Sequence, residues 1–554
     1  MSASPKAQPI QAAAADTVAP VHIPALEAPS AHKWIIALSV MLGTILEILD
    51  VSIVNVALPH MQGSFSASVD EMTWVATSYL VANGMMIPMS GWISARFGRK
   101  RYFLLSVAGF VLASAACGAA QTLNQMVFFR LMQGLSGAAM QPSSQAILME
   151  TFPPEEQAMA MAFWGIGMMV APIMGPTVGG WITDNWSWRW NFYINVPIGI
   201  AAIIMVSTFL HDPPYLRKLR AKGGRIDYPG IVLIALSLGL LQIVLDRGQR
   251  ADWFDSPWVT YATVAAVLSM ILLVWRELTF PEPIMDLRIL KIPIFTIAIL
   301  ILVLMSFMLF GTNLLNPVFL QEFMGYSAWK AGLVLAPRGF GAAAAMLLIG
   351  QLSRYRLPTK PLWALGFFLQ GLSLYEMATW NLQVDYWHVL WPTILISTGF
   401  SFIFPPLSAA TLSCVSRERM GYAASLFSMI RNTGAAVGIS VMTTMLARNQ
   451  QTHQSYLTEH FSVFDAWRLG EAPQRMPGGP HFLGPNHTVL GKHGLAMVYG
   501  QIQAQAAMLA LNDIYWTLFW MAIVLIPILL LSWLWANSKM ERGVAAPDAA
   551  AMAH

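Results

Sequence analysis

Apolar residues along this chain come in long, nearly unbroken runs, not in the alternating or one-faced patterns of a soluble fold. A membrane-crossing helix needs about 20 such residues. Runs of that order lie at 34–59, 72–95, 102–121, 126–149, 157–182 and 191–210, then at 228–247 and 257–279. A last group lies at 293–320, 330–353, 361–380, 387–413, 420–447 and 512–537. The pattern predicts an all-α polytopic membrane protein with fourteen transmembrane helices, grouped as six, two and six. The expected units are a first six-helix bundle over 33–211, two extra central helices with their linkers over 212–292, and a second bundle over 293–538. Residues 1–32 are Ala- and Pro-rich, lack a charged-then-apolar order, and read as a disordered cytoplasmic tail instead of a signal peptide. Residues 539–554 form a second cytoplasmic tail. The only sizeable polar connection inside the membrane region is 448–511, with a Gln-rich helical stretch over 494–511 that either packs on a partner or leads into the last span.

Composition sharpens this picture. Hydrophobic residues make up 56% and charged residues 11% of the chain, and mean hydropathy is +0.55, which excludes a soluble domain. The two cysteines, Cys117 and Cys414, sit in apolar runs and suggest neither a disulfide nor a metal site. His453, His460, His481, His487 and His493 are spaced irregularly around the polar connection, without the spacing of zinc ligands. With the N-terminus inside, about 21 Lys and Arg fall on inner connections and about 8 on outer ones, with roughly three inside the spans, as the positive-inside rule requires. The net charge of +4 therefore reflects membrane topology and implies no nucleic acid. No Gly-x-x-x-x-Gly-Lys-Ser/Thr loop is present, so energy from ATP is not expected, and neither an enzymatic activity nor a cofactor is implied.

The chemistry then concentrates in the few polar groups at bilayer depth, where an ionisable side chain costs several kcal/mol unless compensated. Glu47 and Asp50 lie three apart at the far end of the first run, share a helix face and could line one cavity. Either they serve function, or they pair with a neighbouring helix. In the fourth run, Gln133, Gly134, Gly137, Gln141, Ser144 and Gln145 fall within about 60° of Arg130 on a continuous helix. Such a stripe either lines a path or glues helices together. Arg130 lies roughly 6 Å and Asp50 about 14 Å from the outer ends of their helices, a difference a guanidinium can bridge. Burial disfavours a carboxylate and a cation favours it, so a change in that contact would switch proton affinity. Gly167, Ala171, Gly175 and Gly179, with Pro172 and Pro176, mark a hinge or a tight seam in the fifth run. Arg431 stands above a small-residue face, and Arg338 is a third intramembrane arginine without an evident partner. The two six-helix groups repeat one another weakly: Gly91 to Lys100 matches Gly350 to Arg356 in position, and Gln141 to Ala146 matches Pro405 to Ala410. Repeated halves around a midplane site are the architecture of secondary transporters. Tyr79, Asn83, Gln133, Gln141, Gln145, Trp164, Asn313, Phe404 and Arg431 are the expected substrate-binding residues.

These motifs resemble those of the fourteen-helix drug:proton antiporters of the major facilitator superfamily, the EmrB/QacA type, and most resemble EmrB-like members. The resemblance rests on Leu49-Asp50-x-Ser52-Ile53-x-Asn55 to Pro59, Gly91 to Arg101, Arg130-x-x-Gln133-Gly134, Gly175-Pro176-x-x-Gly179-Gly180 and Trp190 to Gly199. It implies the major facilitator fold and a proton-driven antiporter that exports hydrophobic drugs or toxic compounds across the bacterial inner membrane. Asp50 and Arg130 would couple protons, with Glu47 beside them, while Gly91, Gly98, Arg99, Gly175, Pro176 and Gly179 would serve conformational gating. It also implies a periplasmic adaptor of the EmrA kind, through the 448–511 connection, and an outer-membrane channel of the TolC kind. Ala95 stands where the loop signature usually has Asp, so the charge relay of that loop is absent or rebuilt. A dedicated exporter of one endogenous metabolite, lipid precursor or siderophore is the alternative.

Overall fold

The computed structural model describes residues 32–212, 226–353, 359–459 and 492–541, and these are helical throughout, without strands. Each expected run is helical, and ten helical stretches are long and apolar enough to cross a membrane. The remaining four are interrupted or more polar. In the first bundle α1 spans Lys33–Phe65, α2 Val69–Met86, α3 Ser90–Phe97, α4 Arg99–Ala119 and α5 Leu123–Gly137. It continues with α6 Met140–Thr151, α7 Gln157–Asn185, α8 Trp190–Tyr193 and α9 Asn195–Phe209. The extra pair is α10 Tyr228–Arg247 and α11 Pro257–Thr279. The second bundle holds α12 Pro293–Val318, α13 Ala328–Leu335, α14 Pro337–Leu352, α15 Thr359–Met377, α16 Tyr386–Ser413, α17 Met420–Glu459 and α18 Lys492–Glu541. The polar connection expected over 448–511 is helical at both ends, because α17 runs on to Glu459 and α18 begins at Lys492. The segment 460–491 lies outside the described residues, as do the two tails expected over 1–32 and 539–554 for most of their length.

Proline explains the broken spans. A proline donates no backbone hydrogen bond to the carbonyl four residues earlier. The fourth span accordingly parts at Ala138 and Ala139, four and three residues before Pro142. The second span parts around Pro88, and the sixth at Ile194, just before Pro197. At two prolines inside unbroken helices, a neighbour supplies the missing donor. Pro176 leaves the Pro172 carbonyl of α7 free, and Ser52 Oγ of α1 donates to it at 2.9 Å. In α16, Pro392 frees the His388 carbonyl, and Trp380 Nε1 donates to it at 3.1 Å. The fifth span is therefore a tight seam of continuous helix, with a Cβ at Gly179 only 3.0 Å from Ile53 of α1.

The bundles meet where α7 packs on α14 and α16 and where α3 and α6 pack on α17. At the end where α1 begins, a Cβ at Gly91 would lie 2.7 Å from the Gly421 carbonyl oxygen, and one at Gly350 2.7 Å from Met159 Sδ. The extra pair flanks this junction, since α10 packs mainly on α2 and also touches α17. Asp227 anchors it by accepting from Gly230 N at 3.1 Å and from Arg276 Nη2 at 3.1 Å. Replacing Ser52 by Ala, which orphans the Pro172 carbonyl, is expected to cost about 1 kcal/mol, read as a lower thermal midpoint in detergent. Ser52→Thr, which keeps the hydroxyl, should retain most of that stability.

Candidate functional site

The first site is built inside the first bundle from five spans. Asp50 of α1 is fully buried, and each carboxylate oxygen is engaged. Arg130 Nη1 of α5 donates to Oδ2 at 2.5 Å, Gln133 Nε2 donates to Oδ1 at 2.9 Å, and Asn195 Nδ2 of α9 donates to Oδ1 at 2.7 Å. Arg130 also donates from Nε to the Val75 carbonyl at 3.1 Å and from Nη1 to Gln133 Oε1 at 2.7 Å. The Tyr79 ring lies under the guanidinium, 4.3 Å from centroid to Cζ, a cation–π contact. Ser114 of α4 holds Asn195 in place, accepting from its Nδ2 at 3.0 Å. Gly134 leaves room for this arrangement, because a Cβ there would lie 2.9 Å from Ala82.

The second site lies between the bundles. Arg431 of α17 donates from Nη2 to Gln141 Oε1 of α6, and its Nη1 lies 3.7 Å from Met168 Sδ of α7. Its guanidinium sits 5.5 Å over the Trp164 ring, which stacks on Phe404 of α16 at 5.8 Å, and Phe404 stacks on Phe400 at 5.2 Å. Trp164 Nε1 donates to Thr44 Oγ1 at 3.1 Å. Ser428 Oγ donates to Gln145 Oε1 at 3.3 Å across the same junction. Glu47 of α1, also buried, accepts from Asn83 Nδ2 of α2 at 3.0 Å, and Gln141 and Arg431 are its next polar neighbours. One cation of the second bundle is thereby held on an aromatic and amide platform contributed mostly by the first.

The structure separates residues that the helical wheel had grouped. Glu47 and Asp50, expected to share one cavity, have different surroundings: Asp50 lies within the first bundle and Glu47 lies toward the junction. The break at Ala138 likewise divides the fourth-span stripe, so Gln133 turns to Asp50 while Gln141 and Gln145 turn to α17. Tyr79 and Gln133, expected against substrate, surround the Asp50–Arg130 pair instead. Asn83, Gln141, Gln145, Trp164, Phe404 and Arg431 do gather at the junction. Asn313 is half-buried on α12, and its neighbour Asn316 accepts from Tyr515 Oη of α18 at 2.8 Å. Asn195 and Ser114 were not expected at the site. Asn195 does lie in the Trp190 to Gly199 run, where it and Asn191 are polar groups in an apolar span, whereas Ser114 carries no such signal.

The loop at Gly98 is rebuilt around other acids. Gly98 has φ 94°, a conformation that favours glycine, and a Cβ there would lie 2.7 Å from Asp212 Oδ2. Asp212 Oδ1 accepts from Lys100 N at 2.8 Å, and Arg99 pairs with Glu150 of α6. Asp212 and Glu150 thus supply negative charge to a loop whose position 95 is Ala. Gly91 stands at the α3–α17 contact, and Gly175 and Pro176 stand in the α1–α7 seam.

A two-bundle helical protein with a buried acid–arginine pair in its first half can be compared directly with known families. The family model described as Major Facilitator Superfamily matches residues 40–439. The chain belongs to that superfamily. Among curated relatives, this major facilitator is 35% identical to the multidrug export protein EmrB of Escherichia coli (strain K12) over 487 residues, covering 88% of this chain and 92% of EmrB. It is 32% identical to the fatty acid resistance protein FarB of Neisseria gonorrhoeae, covering 91% of this chain and 96% of FarB. Among solved structures, the human organic anion transporter MFSD10 aligns with TM-score 0.56 at 14% identity, covering 88% of this chain and 99% of that one. The proton:xylose symporter XylE aligns with TM-score 0.55 at 16% identity, covering 78% and 91%. These two likenesses establish the fold, and the chain is a multi-pass membrane transporter.

Removing one member of a buried ion pair typically costs 3–5 kcal/mol, because the other charge is left uncompensated. Asp50→Ala and Arg130→Gln should each destabilise by about that amount, and the double variant by clearly less than the sum. Thermal or denaturant midpoints in detergent measure the coupling.

Proposed function

We propose that this major facilitator is a proton-driven exporter of hydrophobic and amphipathic toxic compounds, working by alternating access in the bacterial inner membrane with both termini cytoplasmic. The observation that carries the reading is the Asp50 carboxylate, fully buried and held by Arg130, Gln133 and Asn195 from two other spans. A carboxylate in such a place keeps its charge only while the guanidinium and amides stay on it. Movement of α5 or α9 relative to α1 weakens those bonds and favours uptake of a proton, and return of the contacts expels it. Proton binding is thereby tied to helix arrangement, which coupling requires.

The aromatic and thioether groups at the junction suit varied apolar bodies. Trp164, Phe400 and Phe404 offer flat faces, and Met168 with its flexible thioether sits beside Arg431. The rocking of one bundle against the other would then be gated where α3 meets α17, with Gly91 allowing the close approach, Gly98 and Arg99 holding the adjoining loop, and Gly175, Pro176 and Gly179 setting the α1–α7 seam within the first bundle. Kinship with EmrB supports the drug-export reading, and the long α17 and α18 supply a surface for a periplasmic adaptor leading to an outer-membrane channel. One proton entering supplies roughly 2.3 kcal/mol per 100 mV and about 1.4 kcal/mol per pH unit, enough to drive uphill export.

The reading is tested by uphill transport of a hydrophobic fluorescent dye in proteoliposomes under an imposed pH gradient. Wild type should concentrate the dye against its gradient, whereas Asp50→Asn should only let it equilibrate. Gradient-driven accumulation by Asp50→Asn equal to wild type would overturn the assignment of proton coupling to Asp50.

A further inference from the structure

The intramembrane arginines differ in what they touch. Arg130 has Asp50, and Arg431 has Gln141, Asn432 and the Trp164 ring, with Glu47 nearby. Arg338 of α14 has no hydrogen bond or ion pair with any described residue, and no charged described group acts on it appreciably. Its side chain points inward. On α14 itself, Ala342, Ala345 and Ile349 lie within about 40° of it on the helical wheel, and all three are buried. Phe340, about 200° round the helix from Arg338, is 79% exposed and marks the outer face. Met346 Sδ, 2.9 Å from a Cβ built at Gly165 of α7, sets this side of α14 against the first bundle, while Ser401 Oγ of α16, in the same bundle as α14, donates to the Ala342 carbonyl at 3.0 Å. Arg338 nonetheless keeps intermediate exposure. An inward side chain that is still accessible opens onto the space between the bundles.

Depth excludes the ordinary explanations. Arg338 is ten residues beyond the start of α13, about 15 Å along the helix by its rise, too deep to bring its head group to the interface by snorkelling. A guanidinium in the hydrocarbon zone is expensive unless paired or watered, and five N–H donors without an acceptor among the described residues leave room for a bidentate acid. By the same rise Arg338 lies about 21 Å from the opposite end of α14, and Arg431 about 17 Å from the start of α17, so both stand at similar depth in the second bundle. The aromatic stack of Trp164, Phe404 and Phe400 lies against the second of these cations.

We infer that Arg338 is a substrate-anchoring residue, and that the transported compounds include amphipathic organic acids whose carboxylate pairs with its guanidinium while their apolar body lies on the junction aromatics. This deepens the export reading and rests on it for the direction of transport. It does not rest on Asp50, because binding can be measured without a proton gradient. The probes are pyrenebutyrate and its neutral carboxamide, which share one body and differ in charge, titrated onto the full chain in detergent at neutral pH with pyrene fluorescence as the signal.

Wild type should prefer the acid by about tenfold, the scale of a hydrogen bond to a charged group. In Arg338→Gln that ratio should fall to near one. In Arg338→Lys, which keeps the charge and loses the planar fork, it should fall to an intermediate value. The Lys variant carries the test if Arg338→Gln does not fold. A wild-type protein without preference for the acid, or a variant that retains the wild-type ratio, would overturn the inference. Loss of dye accumulation in Asp50→Asn with the tenfold ratio intact would support acid binding at Arg338, while failure of wild type to transport the dye would count against the export reading alone.

Discussion

A carboxylate and a guanidinium buried together in a membrane-embedded bundle constrain everything around them. Desolvating two charges costs more than their attraction returns unless the remaining lone pairs and protons are also satisfied. That requirement explains why Asp50 and Arg130 are surrounded by Gln133, Asn195, Ser114, the Val75 carbonyl and the Tyr79 ring, drawn from α1, α2, α4, α5 and α9. It also explains the packing. The donors reach Asp50 only if the helices approach closely, and Gly134 of α5 against α2 and Gly199 of α9 against Val111 of α4 and Leu46 of α1 permit that approach.

The same need for satisfaction governs the backbone. Proline in a membrane helix frees a carbonyl that cannot turn to water. Here the chain breaks the helix at Ala138 before Pro142, and at two other prolines a neighbour supplies a donor, Ser52 to the Pro172 carbonyl and Trp380 to that of His388. The break in the fourth span has a functional result. It directs the half that carries Arg130 and Gln133 into the first bundle and the half that carries Gln141 and Gln145 toward the second. One span thereby touches both the buried Asp50 and the space between the bundles, a physical link of the kind that the proposed coupling requires.

Much of this was legible in the residues. Long apolar runs dictate helices because the bilayer offers the backbone no partner, and the cost of intramembrane charge singled out Asp50, Glu47, Arg130, Arg431 and Arg338. The difference in depth between Asp50 and Arg130 was one a guanidinium can bridge, and the two do pair. What the chain concealed depended on direction. A wheel drawn for one continuous helix placed Gln133 with Gln141, and the kink before Pro142 parts them. Tyr79 looked like a substrate-facing ring but serves as the floor beneath Arg130. Asn195 and Ser114 gave little signal, since one amide or hydroxyl in an apolar run is also common glue between helices.

The account stands on Asp50 being the group that exchanges a proton as substrate arrives. The most direct measurement is proton release from purified protein in lightly buffered detergent solution when a transported hydrophobic compound is added. Wild type should release protons in proportion to substrate bound, and Asp50→Asn should bind the compound and release none. Release by Asp50→Asn equal to that of wild type would contradict the account and place the exchanging proton elsewhere.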